Sequence, residues 1–538
     1  MPPGGIHAVE LILLLLLLFV VVFAVLAQKL KTPYPIVLVI AGLLISLIPG
    51  IPSIRLNPDV IFLVVLPPLL YSAAWLTSWR EFKFNLVSIC MLAFGLVSFT
   101  VFGVAGAAHY FFSGFDWRLG FVLGAVVATT DAIAATSIAK RVGLPKRIVD
   151  VLEGESLLND ATGLLALQFG VAMVVSRVTP TVGQGLRELT YLTFAGLGLG
   201  LLVGLAIQWL ERRVDDGPIE ITISILVPYA VYLAAEAIHA SGVLAVVACG
   251  LYLSRKSSQF LSARVRIQAW AVWDSLTFIL NGLVFMVIGL QLPHVLAGLT
   301  GYRLRELIFY GAAFSALLIV LRLIWMYPGA FIAYQIRKHL LHQKVSLPAA
   351  RQIFVVGWTG MRGVVALAAA ISLPETLADG QPFPQRDMII FLTFSVILVT
   401  LVLQGLTLPP LIRVLGLAGA AAPDLEELEA RRIIVQAALA HLASLREKDS
   451  ANFADVYDDI KNHYHHQLVV LKDEEKDNEE DAAHRAHHAR FVELSRDLLA
   501  VERATAVRLR DNGHISDEAL RQIQQELDLN EARLSLNS

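Results

Sequence analysis

VDVLEGESLLNDATGLLALQFGVAMVVS, residues 149–176, decides how the rest of the chain is read. As a helix it is long and apolar enough to cross about 30 Å of hydrocarbon, which takes about 17–25 residues. Yet Glu155, Ser156, Asn159 and Asp160 stand in its first half. Helical spacing puts Glu155 with Asn159, and Ser156 with Asp160, each pair four residues apart on one face. Leu157 and Leu158 point elsewhere, toward packing. An ionised side chain at mid-membrane costs about 2.5–3.5 kcal/mol on insertion scales, so such residues usually face a polar interior and mark a pathway. A stripe of carboxylate, hydroxyl and amide oxygens suits a hard monovalent cation such as Na⁺. The plainer alternative is a capping cluster at a cytoplasmic helix end. It fits Glu153 better than Asp160, which lies more than a turn further in.

Outward from this run the chain keeps the same character. Of its 538 residues 56% are hydrophobic and 16% charged, against about a quarter charged in soluble domains. Apolar runs alternate with charged or Pro/Gly-rich breaks to give about thirteen spans. From about residue 420 the composition turns polar. The expected organisation is a transmembrane domain over 1–416 and a helical cytoplasmic tail over 417–538. Alternate loops hold the basic residues, among them Lys140/Arg141/Lys146/Arg147 and Arg337/Lys338/Lys344/Arg351. The other set holds only Arg55, Arg118, Arg177/Arg187, Arg303/Arg305 and Arg386. Basic loops mark the cytoplasmic side, so the N-terminus is expected outside and the tail inside a plasma (inner) membrane. Leu11–Ala27 has no Lys or Arg ahead of it and follows Glu10, which favours a retained helix over a signal peptide.

A net charge of −2 gives no reason to expect nucleic acid. Cys90 and Cys249 both fall in apolar runs and read as small buried hydrophobes. No cofactor is expected. Without a metal-ligand pair or nucleophile–base constellation in the spans, neither is an enzyme.

Two further charged sites interrupt apolar runs. Ala128-Thr129-Thr130-Asp131-Ala132 places an acid behind two hydroxyls, groups that can satisfy a broken helix. An Asp capping an ordinary kink is the alternative. Gly360-Met361-Arg362-Gly363 places a lone Arg between glycines. It needs an acidic partner, and Glu155 is the candidate, with Asn159 secondary; a purely structural ion pair is the alternative. Glu236, His239, Asp274 and Arg322 are expected near span ends, with snorkelling or interfacial placement as the explanation. For Asn281, inside Leu280-Asn281-Gly282, a bond to a neighbouring helix is the plainer reading. Counting the seventh span as a linker leaves two six-helix groups of opposite polarity. The breaks at Asp131 and Arg362 then fall in matching fifth positions, the arithmetic of an inverted repeat.

Thr130-Asp131-Ala132, Gly154 to Asp160, Leu280 to Phe285, Gly360 to Gly363 and Leu66-Pro67-Pro68-Leu69-Leu70 together resemble the sodium/proton exchanger family of cation–proton antiporters, bacterial type. The resemblance covers about residues 8–415. It implies an all-α polytopic membrane protein, a homodimer whose mobile six-helix core surrounds two crossed, interrupted helices. Asp160 would hold sodium or a proton in turn, with Ser156 and Thr130 adding oxygens. Asn159 marks the branch associated with electroneutral exchange. Glu155 and Arg362 would brace the core, and Asp131 would balance helix ends. Two positions depart from the family pattern: Ala132 stands where Pro is frequent, and Ser72 where an acid is frequent.

The expected activity is exchange of Na⁺ for H⁺ by alternating access, with Li⁺ and K⁺ as further candidate cations. A proton and Na⁺ compete for one carboxylate. A sodium-coupled symporter of an organic anion and an ion channel are the rivals. In the tail, His484, His487 and His488 share a helix face and invite pH sensing or metal binding. A plain solvated face is the simpler reading.

Overall fold

The computed structural model of the chain describes residues 4–48, 56–111, 114–175, 181–214, 216–299, 301–377, 380–418, 425–448, 454–470, 479–512, 514 and 516–536. Contacts divide the chain into two compact units, Met1–Ala420 and Ala421–Ser538.

The first unit is a helical bundle. It opens with α1 (Gly4–Lys29), α2 (Tyr34–Ser46), α3 (Pro58–Leu76) and α4 (Trp79–Tyr110). Then come α5 (Trp117–Ala128), α6 (Ala132–Val142) and α7 (Lys146–Val175). The middle holds α8 (Val182–Glu211), α9 (Gly217–Ala237), α10 (Gly242–Phe260) and α11 (Ala263–Leu290). The unit closes with α12 (Leu304–Leu340), α13 (Ala350–Trp358), α14 (Val364–Ile371) and α15 (Arg386–Val414). Among the described residues nine helices are long and apolar enough to cross a membrane, ten if the bent pair α5/α6 counts as one. The thirteen-span reading therefore does not follow from helix length and apolarity alone. α2 has 13 residues, α13 nine and α14 eight, all short of a full crossing.

Local chemistry sets the boundaries that matter. Asp116 caps α5 by accepting from the Leu119 amide at 2.9 Å. α6 ends at Gly143, whose φ of 73° closes the helix in the left-handed region that glycine tolerates best. α2 and α11 touch backbone to backbone, because a Cβ on Gly42 would strike the Met286 carbonyl and one on Gly289 the Val39 carbonyl. Small residues at such crossings are how helices pack when lipid removes the hydrophobic drive.

Two buried apolar clusters fill the bundle. The larger joins α2, α5, α6, α12, α14 and α15. The smaller joins α3, α8, α9 and α10. α7 contributes to both, with Leu152 and Leu167 in the first and Leu157 and Ala161 in the second. The polar stripe of residues 155–160 thus lies on a helix that runs along the seam.

The second unit holds α16 (Leu425–Lys448), α17 (Ala454–Val470), α18 (Glu479–Asp511) and α19 (Asp517–Leu536). Val492, Leu499 and Ala506 recur every seventh residue of α18 and are buried, as are Leu520 and Leu527 of α19. Arg503 ties the pair with bonds to Asp528 at 2.6 Å and Glu531 at 2.7 Å. His487 is exposed. The side chains of His484 and His488 lie outside the described residues.

Candidate functional site

Two helices break and cross at the centre of the first unit. α5 stops at Ala128, and Thr129 and Asp131 are extended before α6 begins. α13 stops at Trp358, and residues 359–363 lead irregularly into α14. The breaks are tied together, the Asp131 amide donating to the Met361 carbonyl at 2.8 Å. Each break exposes a helix C-terminus and a helix N-terminus, with partial negative and positive charge respectively.

Arginines cover both C-termini. Arg362 Nε donates to the Val127 carbonyl at the end of α5 at 3.0 Å, and its Nη1 donates to the Gly360 carbonyl. Arg322 Nε donates to the Gly357 carbonyl at 3.1 Å and its Nη2 to Val356 at 3.2 Å, at the end of α13. Asp131 serves the N-termini. Its Oδ1 accepts from the Ile133 amide of α6 at 2.8 Å. Its other oxygen lies where a Cβ on Gly363, the residue capping α14, would sit. Gly363 therefore admits no side chain without displacing that carboxylate.

Glu155 is saturated. Arg322 Nη1 and Nη2 grip its two oxygens at 2.6 and 2.9 Å, and the Thr130 hydroxyl donates to Oε1 at 3.2 Å. Both members of the ion pair are 1% exposed. Here two expectations are corrected. The partner of Glu155 is Arg322, not Arg362, because Arg362 turns to the end of α5. Arg322 also does not snorkel at a span end. It stands well inside α12, where a charge with no route to water requires an acid. Its depth in the 304–340 run was the available signal.

Thr130 is the hub that docks the stripe. Ser156 Oγ donates to its carbonyl at 2.9 Å, and Asn159 Nδ2 donates to its hydroxyl. The side-chain oxygen of Asn159, Oδ1, is buried without a partner. Asp160, 6% exposed, neither accepts a hydrogen bond nor pairs with a base among the described residues. It borders a cavity of about 350 Å³ together with Thr129, Thr130, Asp131, Ser156 and Gly363. Tyr34, Ser72 and Asn281 line its other wall. At one end stand Lys140 and Glu153, paired at 2.8 Å. Asn281 thus faces the site rather than only a neighbouring helix. No group of three or more metal-ligating side chains occurs among the described residues.

A bare carboxylate beside two crossed helix breaks, inside an apolar helical bundle, defines a class: secondary transporters that hold their cargo at discontinuous helices. Residues 14–414 match the family described as sodium/hydrogen exchanger, transmembrane, and the chain belongs to that family. An uncharacterized Na⁺/H⁺ exchanger of Mycobacterium tuberculosis is 34% identical over 520 residues, 96% of this chain and 94% of its own. The Na⁺/H⁺ antiporter ApNhaP of Aphanothece halophytica is 33% identical over 415 residues, 77% of this chain and 75% of its own. The sodium proton antiporter MjNhaP1 of Methanocaldococcus jannaschii shares the fold. Its TM-score is 0.56 at 19% identity, over 76% of this chain and 99% of that one.

Proposed function

We propose that this chain exchanges Na⁺ for H⁺ across the plasma membrane, one for one, with both ions competing for Asp160. The observation that carries this reading is the contrast within one stripe: of the acids near the crossing, Asp160 alone among the described residues has a carboxylate without a partner, and it borders a cavity. Ser156, Thr130 and the unpartnered oxygen of Asn159 stand beside it as further oxygen donors. One titrating carboxylate carries one positive charge in either state, as Na⁺ or as H⁺. Exchange through it moves no net charge.

Family membership favours exchange over sodium-coupled symport or a channel. The fuller reading is a homodimer with its N-terminus outside and its tail inside, transport residing in 1–416. The fold of that region as two inverted six-helix repeats would make the crossing its pseudo-symmetry centre. On this topology Lys140 and Glu153, which line the cavity, stand toward its cytoplasmic side. Relatives from Bacillus pumilus and Bacillus subtilis carry the description sodium, potassium, lithium and rubidium/H⁺ antiporter, which supports testing all four cations.

Everted vesicles test the proposal. Asp160→Asn in correctly inserted protein is expected to reduce exchange to background. In the wild type, each tenfold rise of Na⁺ above its dissociation constant should move proton inhibition about one pH unit more acidic. Undiminished exchange by Asp160→Asn, or a proton inhibition insensitive to Na⁺, overturns it.

A further inference from the structure

A second cavity, of about 490 Å³, lies apart from the Asp160 site among α4, α7, α12, α13 and the extended segment before α13. Its chemistry is opposite in sign. Arg337 of α12 is 3% exposed and lines it, as does Arg147 in the first turn of α7. Both guanidinium groups lie over the same Phe84 ring, at 4.4 and 5.6 Å from its centre. Arg337 Nε donates to Gln343 at 2.8 Å, whereas its Nη2 is buried and unpartnered. No acid pairs with either arginine among the described residues. Asn85 also lines the cavity, 1% exposed, and both its amide nitrogen and oxygen are unpartnered. A native fold seldom buries so many donors idle, because each unmade bond costs about 1–3 kcal/mol.

We infer that this cavity is a binding site for a phosphate group carried on a small organic body. Two like charges over one ring repel unless an anion sits between them, and arginine forks match phosphate oxygens in geometry. The first turns of α7 and α13 also form part of the wall, at Ile148 and at Gln352. The Ile148 and Gln352 amides already donate to the Pro145 and Ala349 carbonyls at 2.9 and 2.8 Å, so these turns add positive potential rather than donors. Arg147, Arg337, Asn85 and Ser88 supply more donors than the two oxygens of a carboxylate can accept. The tetrahedral oxygens of a phosphate can use them. Apolar neighbours such as Met91, Met326 and Leu347 leave room for the remainder of the molecule. The site also touches the transport machinery: Val356 lines it, and the Val356 carbonyl accepts from Arg322, the partner of Glu155. A bound phosphate would clamp α4, α7 and α12 one residue away from that ion pair.

The chemistry fits a soluble phosphomonoester or a phospholipid headgroup, and one experiment separates the two. The purified full chain is dialysed against radiolabelled inorganic phosphate or AMP, with chloride at matched ionic strength as the control. In parallel it is placed in phosphatidylcholine nanodiscs with and without phosphatidylglycerol, and retained lipid is counted by native mass spectrometry. Saturable binding of phosphate or AMP assigns a soluble ligand. Retention of phosphatidylglycerol with neither soluble probe bound assigns a headgroup. In both cases Arg337→Gln should weaken binding by about tenfold or more. Arg147→Gln, at an exposed position that folding tolerates, should weaken it severalfold and keeps the test open if the Arg337 variant misfolds. Binding of none of the three probes above control, or binding that both variants leave unchanged, overturns the inference.

Discussion

Glu155 and Asp160 sit five residues apart on one helix, both buried, and differ in almost everything else. Glu155 has two arginine nitrogens and a threonine hydroxyl on its oxygens. Asp160 has an open cavity beside it and no bond. A buried carboxylate with both oxygens engaged is part of the frame, because releasing it leaves an uncompensated charge. One with none engaged is available to whatever cation arrives. Burial alone does not identify a transport site; the state of the partners does.

The contrast can be broken from the Glu155 side. Arg322→Met strands a buried carboxylate, and thermal unfolding should report a loss of about 3–5 kcal/mol. Replacing both partners, as Glu155→Leu with Arg322→Met, should recover most of that stability. If the single variant unfolds like the wild type, Glu155 is not the framing acid. Gly363→Ala acts where the two roles meet. The new methyl must displace the Asp131 carboxylate, so a cost of about 1–3 kcal/mol is expected, together with slowed exchange in the same vesicles.

Asn159→Asp sharpens the comparison by giving Asp160 a second acid one residue away. Exchange should then respond to an imposed membrane potential, whereas the wild type is expected not to. Equal responses in the two proteins would remove the link between a single carboxylate and electroneutrality. The smallest effect belongs to Ser156→Ala, which removes one hydrogen bond of about 0.5–1.5 kcal/mol. A severalfold rise in the Na⁺ concentration for half-maximal rate, with little change in maximal rate, is the expected signature.

Much of this site can be read from residue types alone. An acid or an arginine inside an apolar run announces itself, and the spacing of 155, 156, 159 and 160 puts them on one face before any coordinates exist. Partner choice is another matter. Arg322 and Arg362 are chemically equivalent candidates for Glu155, one inside α12 and the other in the break between α13 and α14. Which one reaches it depends on how α12 packs against the break between α13 and α14, a long-range property with no local signal. The same holds for the second cavity. Arg147 and Arg337 read as ordinary cytoplasmic loop charges until the fold brings both over Phe84. The short helices beside the breaks also escape a test built on length, since a helix interrupted at mid-membrane offers two pieces, each too brief to qualify.

The amide of Asp131 bound to the carbonyl of Met361 has a mechanical consequence. That bond joins two interrupted helices at their weakest points. The clasp of Arg362 on Val127 closes the same joint from the other side. The crossing therefore behaves as a riveted cross rather than as two hinges, and swivelling at either break would shear directional bonds. Leu157 and Ala161 of α7, by contrast, meet the smaller cluster through apolar contact. Compliance belongs to that greased face, so the cross and the ion it holds would travel as one piece.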